Sequence, residues 1–133
     1  MGLDMEIYKL ENKKIAELRK ANMIHHWIEK RILTNNPEIL EIYNNGHYLL
    51  TYNDLKALKL DIEFVLKNPQ LAKEILPTRP GFFFGNLKYN ENYYKTLKDA
   101  LNILNEVLSK NNYADMFIYT ANWWYKYLTR YIK

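Results

Sequence analysis

Apolar residues recur along this chain with two different periods, and the change from one to the other divides it into elements. Three stretches carry them at spacings of three and four, the repeat that places side chains on one face of a helix. From about Arg19 to Leu33, Ile24, Trp27, Ile28 and Arg31 form one stripe with Ala21, Ile28 and Ile32 beside it, and Asn35-Asn36-Pro37 ends the helix. From about Asn53 to Lys67, the residues Leu55, Leu58, Ile62, Val65 and Leu66 share a face; Thr51 and Asn53 are candidate N-caps, and Asn68-Pro69 is the stop. The strongest pattern runs from about Glu91 to Lys110, where Tyr94, Leu97, Leu101, Leu104 and Leu108 lie opposite Lys95, Lys98 and Asp99. Shorter helical turns are expected at Pro37 to Tyr43 and Gln70 to Ile75.

Elsewhere the period is two or the residues are β-branched and aromatic. Met5 to Leu10 reads as an edge strand, Glu11 to Lys14 as a polar turn and Ile15 to Leu18 as the return of a hairpin. Asn44-Asn45-Gly46 is a turn signal before the strand His47 to Leu50, and Met116 to Tyr119 is a further strand. Thr120 to Trp124 follows it, and Tyr125 to Lys133 forms a short amphipathic end. Between Leu76 and Gly85, Pro77, Pro80, Gly81 and Gly85 constrain the backbone around the triplet Phe82-Phe83-Phe84. As a strand, that triplet puts Phe82 and Phe84 on one face. The expectation is an α+β fold: a single domain over residues 1–133, with about three main helices on a small, mainly antiparallel sheet of the N-terminal, His47, Phe82 and Phe117 segments.

Composition narrows this picture. A chain of 133 residues buries a sizeable core without help from metals or disulfides. The absence of cysteine rules out a disulfide scaffold, a thiolate metal site and a cysteine nucleophile. The net charge of +4 is modest. Lys110, Lys126, Arg130 and Lys133 make the end of the chain basic, but no cluster has the density of a phosphate-tracking surface, so no nucleic-acid partner is expected. No stretch has the length of a membrane span and Glu6 interrupts a myristoylation signal, which leads to the expectation of a cytoplasmic protein. An aromatic content of 15% suggests surplus apolar surface, and hence a homo-oligomer, most simply a dimer.

The common catalytic signatures are missing: no phosphate-cradling lysine loop, dinucleotide glycine fingerprint, serine elbow or His-Glu-x-x-His pair occurs. Arg19, Asn22, His25, His26 and Glu29 fall at helical spacing and form a polar line on one flank of the first helix, a pattern that more often is a solvated face. His25 and Glu29 stand four apart, but His47 is the only further histidine, so neither a metal nor a cofactor is expected.

Four motifs in order, Met1-Gly2-Leu3-Asp4-Met5, Arg19 to Trp27, Leu76-Pro77-Thr78 with Gly81 to Gly85, and a terminal strand ending in Trp123-Trp124, give the chain a wider likeness. It resembles a widespread set of small, mostly uncharacterised proteins of bacteriophages and prophages. It departs from their pattern at Leu18, where an aromatic is usual, and at Asn122, where a serine is usual. The resemblance implies a phage-encoded protein of the bacterial cytoplasm and supplies positions rather than a mechanism. Those positions are Arg19, Asn22, His25, Trp27, Thr78, Phe82, Phe84, Gly85, Asn122 and Trp123, taken together as a ligand pocket. Arg and His suit a phosphate, Asn and Thr suit polar edges, and Trp or Phe suits a planar ring. The leading expectation is an accessory protein that binds a small phosphorylated, nucleotide-derived ligand and sequesters a host defence signal. The alternatives are an enzyme cleaving such a ligand, with His25 as base and Glu29 or Asp4 as its partner, and a protein-binding inhibitor of a host factor.

Overall fold

A computed structural model describes residues 2–9, 13–80 and 87–124. The N-terminal hairpin forms from β1 (Gly2–Lys9) and β2 (Lys13–Arg19), so Lys13 and Lys14 belong to the return strand rather than to the turn. Alternate residues of β1 decide its place: Leu3, Met5 and Ile7 are buried while Asp4, Glu6 and Tyr8 are only partly covered. A strand with so apolar a face gains most where neighbours flank it on both sides. The sheet is antiparallel with the order β2-β1-β4-β3, so β1 is central and not an edge strand.

The first helix, α1, spans Asn22–Asn35 and starts three residues later than the periodicity from Arg19 suggests. Lys20 accounts for the difference, because its left-handed φ of 55° cannot be continued as a right-handed helix. The chain turns there, with Lys20 N donating to Leu3 O at 2.8 Å. Pro37 to Tyr43 forms a turn and loop in place of the expected helical turn. β3 (Tyr48–Thr51) follows a tight turn in which Asn45 has a φ of 63° and Gly46 N donates to Tyr43 O at 2.9 Å. Gly46 is required for space: a Cβ there would lie 2.6 Å from the Tyr48 hydroxyl oxygen.

The second helix, α2 (Tyr52–Lys67), is capped by Thr51 as its sequence suggests. Thr51 Oγ1 accepts from Asp54 N at 3.1 Å, and Thr51 N donates to Asp54 Oδ2 at 2.8 Å, a reciprocal pair that satisfies two donors. Asp54 also takes Arg31 Nε at 2.7 Å, which ties α2 to α1. A 3-10 turn (Pro69–Leu71) and the one-turn α3 (Ala72–Ile75) lead to Leu76, and α4 covers Glu91–Ser109. α4 buries Tyr93, Leu97, Ala100, Leu104, Val107 and Leu108, a face shifted slightly from the expected stripe so that Tyr94 and Leu101 stand at its margin.

The last described strand, β4 (Met116–Trp124), takes in Thr120 to Trp124 as well as the expected Met116 to Tyr119. Its added length lets it pair with all of β1, from Gly2 opposite Trp124 to Lys9 opposite Phe117. Phe117, Tyr119 and Ala121 turn inward with Leu3, Met5, Ile7 and Leu50 against Ile24, Ile28, Leu55, Leu58, Ile62 and Leu97 of the helices, whereas Asp4, Glu6, Thr120 and Asn122 occupy the other face. The architecture is α+β, four helices on one side of a four-stranded antiparallel sheet among the described residues. The expected Phe82 strand and the Tyr125 to Lys133 end lie outside the described residues. Among the described residues, no helix is long and apolar enough to cross a membrane.

Candidate functional site

Asn22, His25, His26 and Glu29 do line one side of α1, but Asn22 and His25 are buried, His26 and Glu29 are half-buried, and each makes a polar contact within the protein. Asn22 is buried, and its Oδ1 accepts from Arg79 N at 3.2 Å. One turn on, His25 is 0% exposed, with Nδ1 2.6 Å from the Tyr119 hydroxyl and its ring edge-on to Trp123 at 5.4 Å. Burial pushes the Tyr119 phenol pKa well up, so it keeps its proton and can donate to His25 Nδ1. Burial also lowers the His25 pKa to about 4, a loss of charge only partly opposed by nearby Glu29, and the imidazole is neutral at pH 7. His26 Nδ1 lies 3.1 Å from Pro77 O, and Glu29 takes a two-point contact from Arg79, Nε at 2.7 Å and Nη2 at 3.2 Å. These bonds hold the Pro77–Pro80 segment against α1.

The remaining expected residues are distributed differently. Thr78 is pinned by its backbone, Thr78 N donating to the Tyr89 hydroxyl at 3.1 Å and Oγ1 to Leu87 O at 3.1 Å. Trp27 points the other way along α1, where Nε1 donates to Asp61 Oδ2 at 2.7 Å and Arg31 lies 5.6 Å above the ring. Trp123 joins the His25 cluster on the core side, and Asn44 grips its backbone with Oδ1 accepting from Trp123 N at 2.9 Å and Nδ2 donating to Trp123 O at 3.0 Å. Asn122 and Arg19 face the opposite side of the sheet. Arg19 ends β2, 74% exposed at its side chain, and its Nε pairs with Asp4 at 3.3 Å. Phe82, Phe84 and Gly85 lie outside the described residues. The structure therefore brings together Asn22, His25, the Thr78–Arg79 backbone and Trp123, and separates Arg19, Asn122 and Trp27 from them. It corrects the idea of one polar flank running from Arg19, because the left-handed turn at Lys20 sends Arg19 and Asn22 to different faces.

Behind the Pro77–Pro80 segment, a solvent-facing depression of about 260 Å³ opens between the starts of α1 and α4, lined by Lys20, Met23, Lys88, Asn90, Asn92, Tyr93 and Thr96. Its polar groups come from three elements: Lys20 from the turn before α1, Lys88 and Asn90 from the loop before α4, and Asn92 and Thr96 from the first turns of α4. Among the described residues no acidic side chain lines it, and the first turn of α1 contains no acidic residue. Tyr93 connects this depression to the clamp, its hydroxyl donating to Leu76 O at 2.7 Å, next to Pro77. The sequence reading singled out neither lysine: Lys20 lies inside the Arg19 to Trp27 motif but was passed over beside Arg19, and Lys88 sits in no periodic pattern or motif. The one available signal was the adjacency of Lys20 to Arg19.

No protein-family model, curated protein or solved structure matches the chain. Among the described residues, no group of three or more His, Asp or Glu side chains is placed to hold a metal.

Proposed function

We propose that this protein binds a small phosphorylated ligand, with the phosphoryl group in the depression lined by Lys20 and Lys88. The carrying observation is that two lysines, two asparagines and a threonine border one cavity that, among the described residues, no carboxylate lines. Lysine ammonium groups are point-charge partners for phosphate, and amide and hydroxyl groups supply the donors that orient it. At about 260 Å³ the cavity falls just below the roughly 300–1,000 Å³ typical of pockets that enclose a drug-sized molecule, so it suits the anionic part of a ligand rather than all of it. Asn22, His25, Thr78 and Arg79 enter this reading as the scaffold that fixes the cavity wall, not as the groups that touch phosphate. The resemblance to phage proteins supplies positions rather than a ligand, and sequestration of a host defence signal is the biological use that this reading gives to such binding.

The test is mass spectrometry of the compound released by heating the purified protein, together with calorimetric titration with ribose 5-phosphate. A released phosphorylated compound is expected, and Lys20→Ala with Lys88→Ala should weaken ribose 5-phosphate binding by at least about tenfold, since each charged hydrogen bond is worth about 1.5–3 kcal/mol. A protein that releases nothing phosphorylated and takes up no ribose 5-phosphate would refute the proposal.

A further inference from the structure

We propose that the broad groove next to the lysine-lined depression, walled by Tyr89 and Tyr94, is a base-binding subsite, so that the phosphorylated ligand is a nucleotide. This inference rests on the phosphate reading above and adds the chemical class of the rest of the ligand. The groove has a volume of about 510 Å³ and is lined by Tyr89, Asn90, Glu91, Tyr94, Lys95 and Lys98. Asn90 borders both cavities, so one ligand can occupy them together.

The two tyrosines are held before any ligand arrives. The Tyr89 hydroxyl accepts from Thr78 N at 3.1 Å, and the Tyr94 hydroxyl donates to Pro69 O at 3.2 Å. Both rings pack on Tyr93, with centroid separations of 5.0 and 4.9 Å, giving a row of three aromatic rings along the start of α4. Rings fixed at the hydroxyl end lose little freedom when a planar partner docks on them. Stacking of a base on an aromatic side chain is also tolerant of which base it is. Lys95 and Lys98 also line the groove, and among the described residues Glu91 is the one carboxylate that does. A carboxylate accepts from an exocyclic amino group, which selects a base bearing one. A bare sugar phosphate would leave the groove unfilled, with the Tyr89 ring keeping Lys73 at 5.7 Å and Tyr93 beside it.

Calorimetric titration of the full chain with ADP and with ribose 5-phosphate tests the inference, and both compounds carry the group expected in the lysine-lined depression. ADP should bind at least about tenfold more tightly, and Tyr94→Ala should abolish that difference while leaving ribose 5-phosphate binding unchanged. In the unmodified protein, saturation transfer from tyrosine ring protons to the adenine ring protons should be strong, a readout that survives even if Tyr94→Ala fails to fold. Equal affinity for the two compounds with no transfer to adenine overturns the base subsite and leaves the phosphate site standing. Binding of neither compound overturns both.

Discussion

Two polar clusters share the N-terminal end of α1, and they differ in what they face. In the inner cluster, Asn22, His25 and Glu29 are directed at Arg79 and Tyr119 of the same chain. In the outer one, Lys20, Lys88, Asn90, Asn92 and Thr96 border a cavity open to solvent. The residues with the more suggestive chemistry, a histidine and an arginine, thus belong to the cluster that builds the fold, while the plainer lysines face the space where a ligand would sit. Polar identity alone does not mark a site; the side of the backbone turn on which a residue falls does. Substitutions in the inner cluster should therefore be read in stability, and those in the outer one in ligand affinity.

The largest effect expected on this division is at His25. Replacing it with alanine removes a fully buried ring, opens a cavity beside Trp123 and leaves the buried Tyr119 hydroxyl without its imidazole partner, at a cost of about 3 kcal/mol. A second signature is specific to the buried imidazole. Its folded pKa of about 4 lies below the ordinary imidazole value of 6.5, so between those pH values the unfolded chain holds a proton that the folded chain lacks. The His25 contribution is complete above about pH 6.5 and is lost as pH falls toward 4, on the order of 3 kcal/mol in all. Urea unfolding across this range should show that slope in the native protein and a shallower one in His25→Ala. An unchanged slope would mean that His25 is not the buried titrating group described here.

Next comes the Glu29–Arg79 pair, whose carboxylate side chain is only 13% exposed. Arg79→Ala should cost about 2 kcal/mol by removing the two-point contact from a largely enclosed carboxylate. A double-mutant cycle with Glu29→Gln isolates the pair from the packing of the arginine stem. A coupling near zero would show that the Glu29–Arg79 pair does not help to hold Pro77–Pro80 and that this part of the inner cluster does not stabilise the fold.

How far the sequence revealed this arrangement depended on the range of the interactions involved. The helices were legible because their apolar residues repeat locally, and Thr51 declared the start of α2 through its own short-range bond to Asp54 N. The N-terminal hairpin was legible from alternation on either side of a polar turn. The start of α1 was misplaced because Arg19, Lys20 and Ala21 are all acceptable helix residues, and only the pairing of Arg19 opposite Asp4 reveals that the strand continues to that point. The extent of β4 followed from the resemblance, which includes a strand ending in Trp123-Trp124, but not from the local pattern, because Asn122 and the indoles resemble an irregular terminus until β1 is laid alongside them. His25 was picked out, but not its burial, since its partner Tyr119 is 94 residues away. The lysine-lined cavity needs the loop before α4 to meet the turn before α1, a juxtaposition that no local spacing encodes.

The smallest expected effect is at Arg19, and it gives the cleanest test of the division. Arg19 immediately precedes Lys20, carries the same charge and was the first choice for a phosphate contact, yet it sits across the sheet from the cavity with its guanidinium against Asp4. An exposed pair of this kind contributes at most about 0.5–1 kcal/mol, so Arg19→Ala should barely move the urea midpoint. It should also leave ribose 5-phosphate binding unchanged, apart from a small uniform decrease at low ionic strength from the lost charge, which physiological salt would screen. Lys20→Ala, one residue along, should lower that affinity about tenfold with a similarly small change in stability. If the two substitutions weaken binding equally at physiological salt, the backbone turn at Lys20 does not sort the charges as described, and the phosphate contact belongs on the Arg19 side of the sheet.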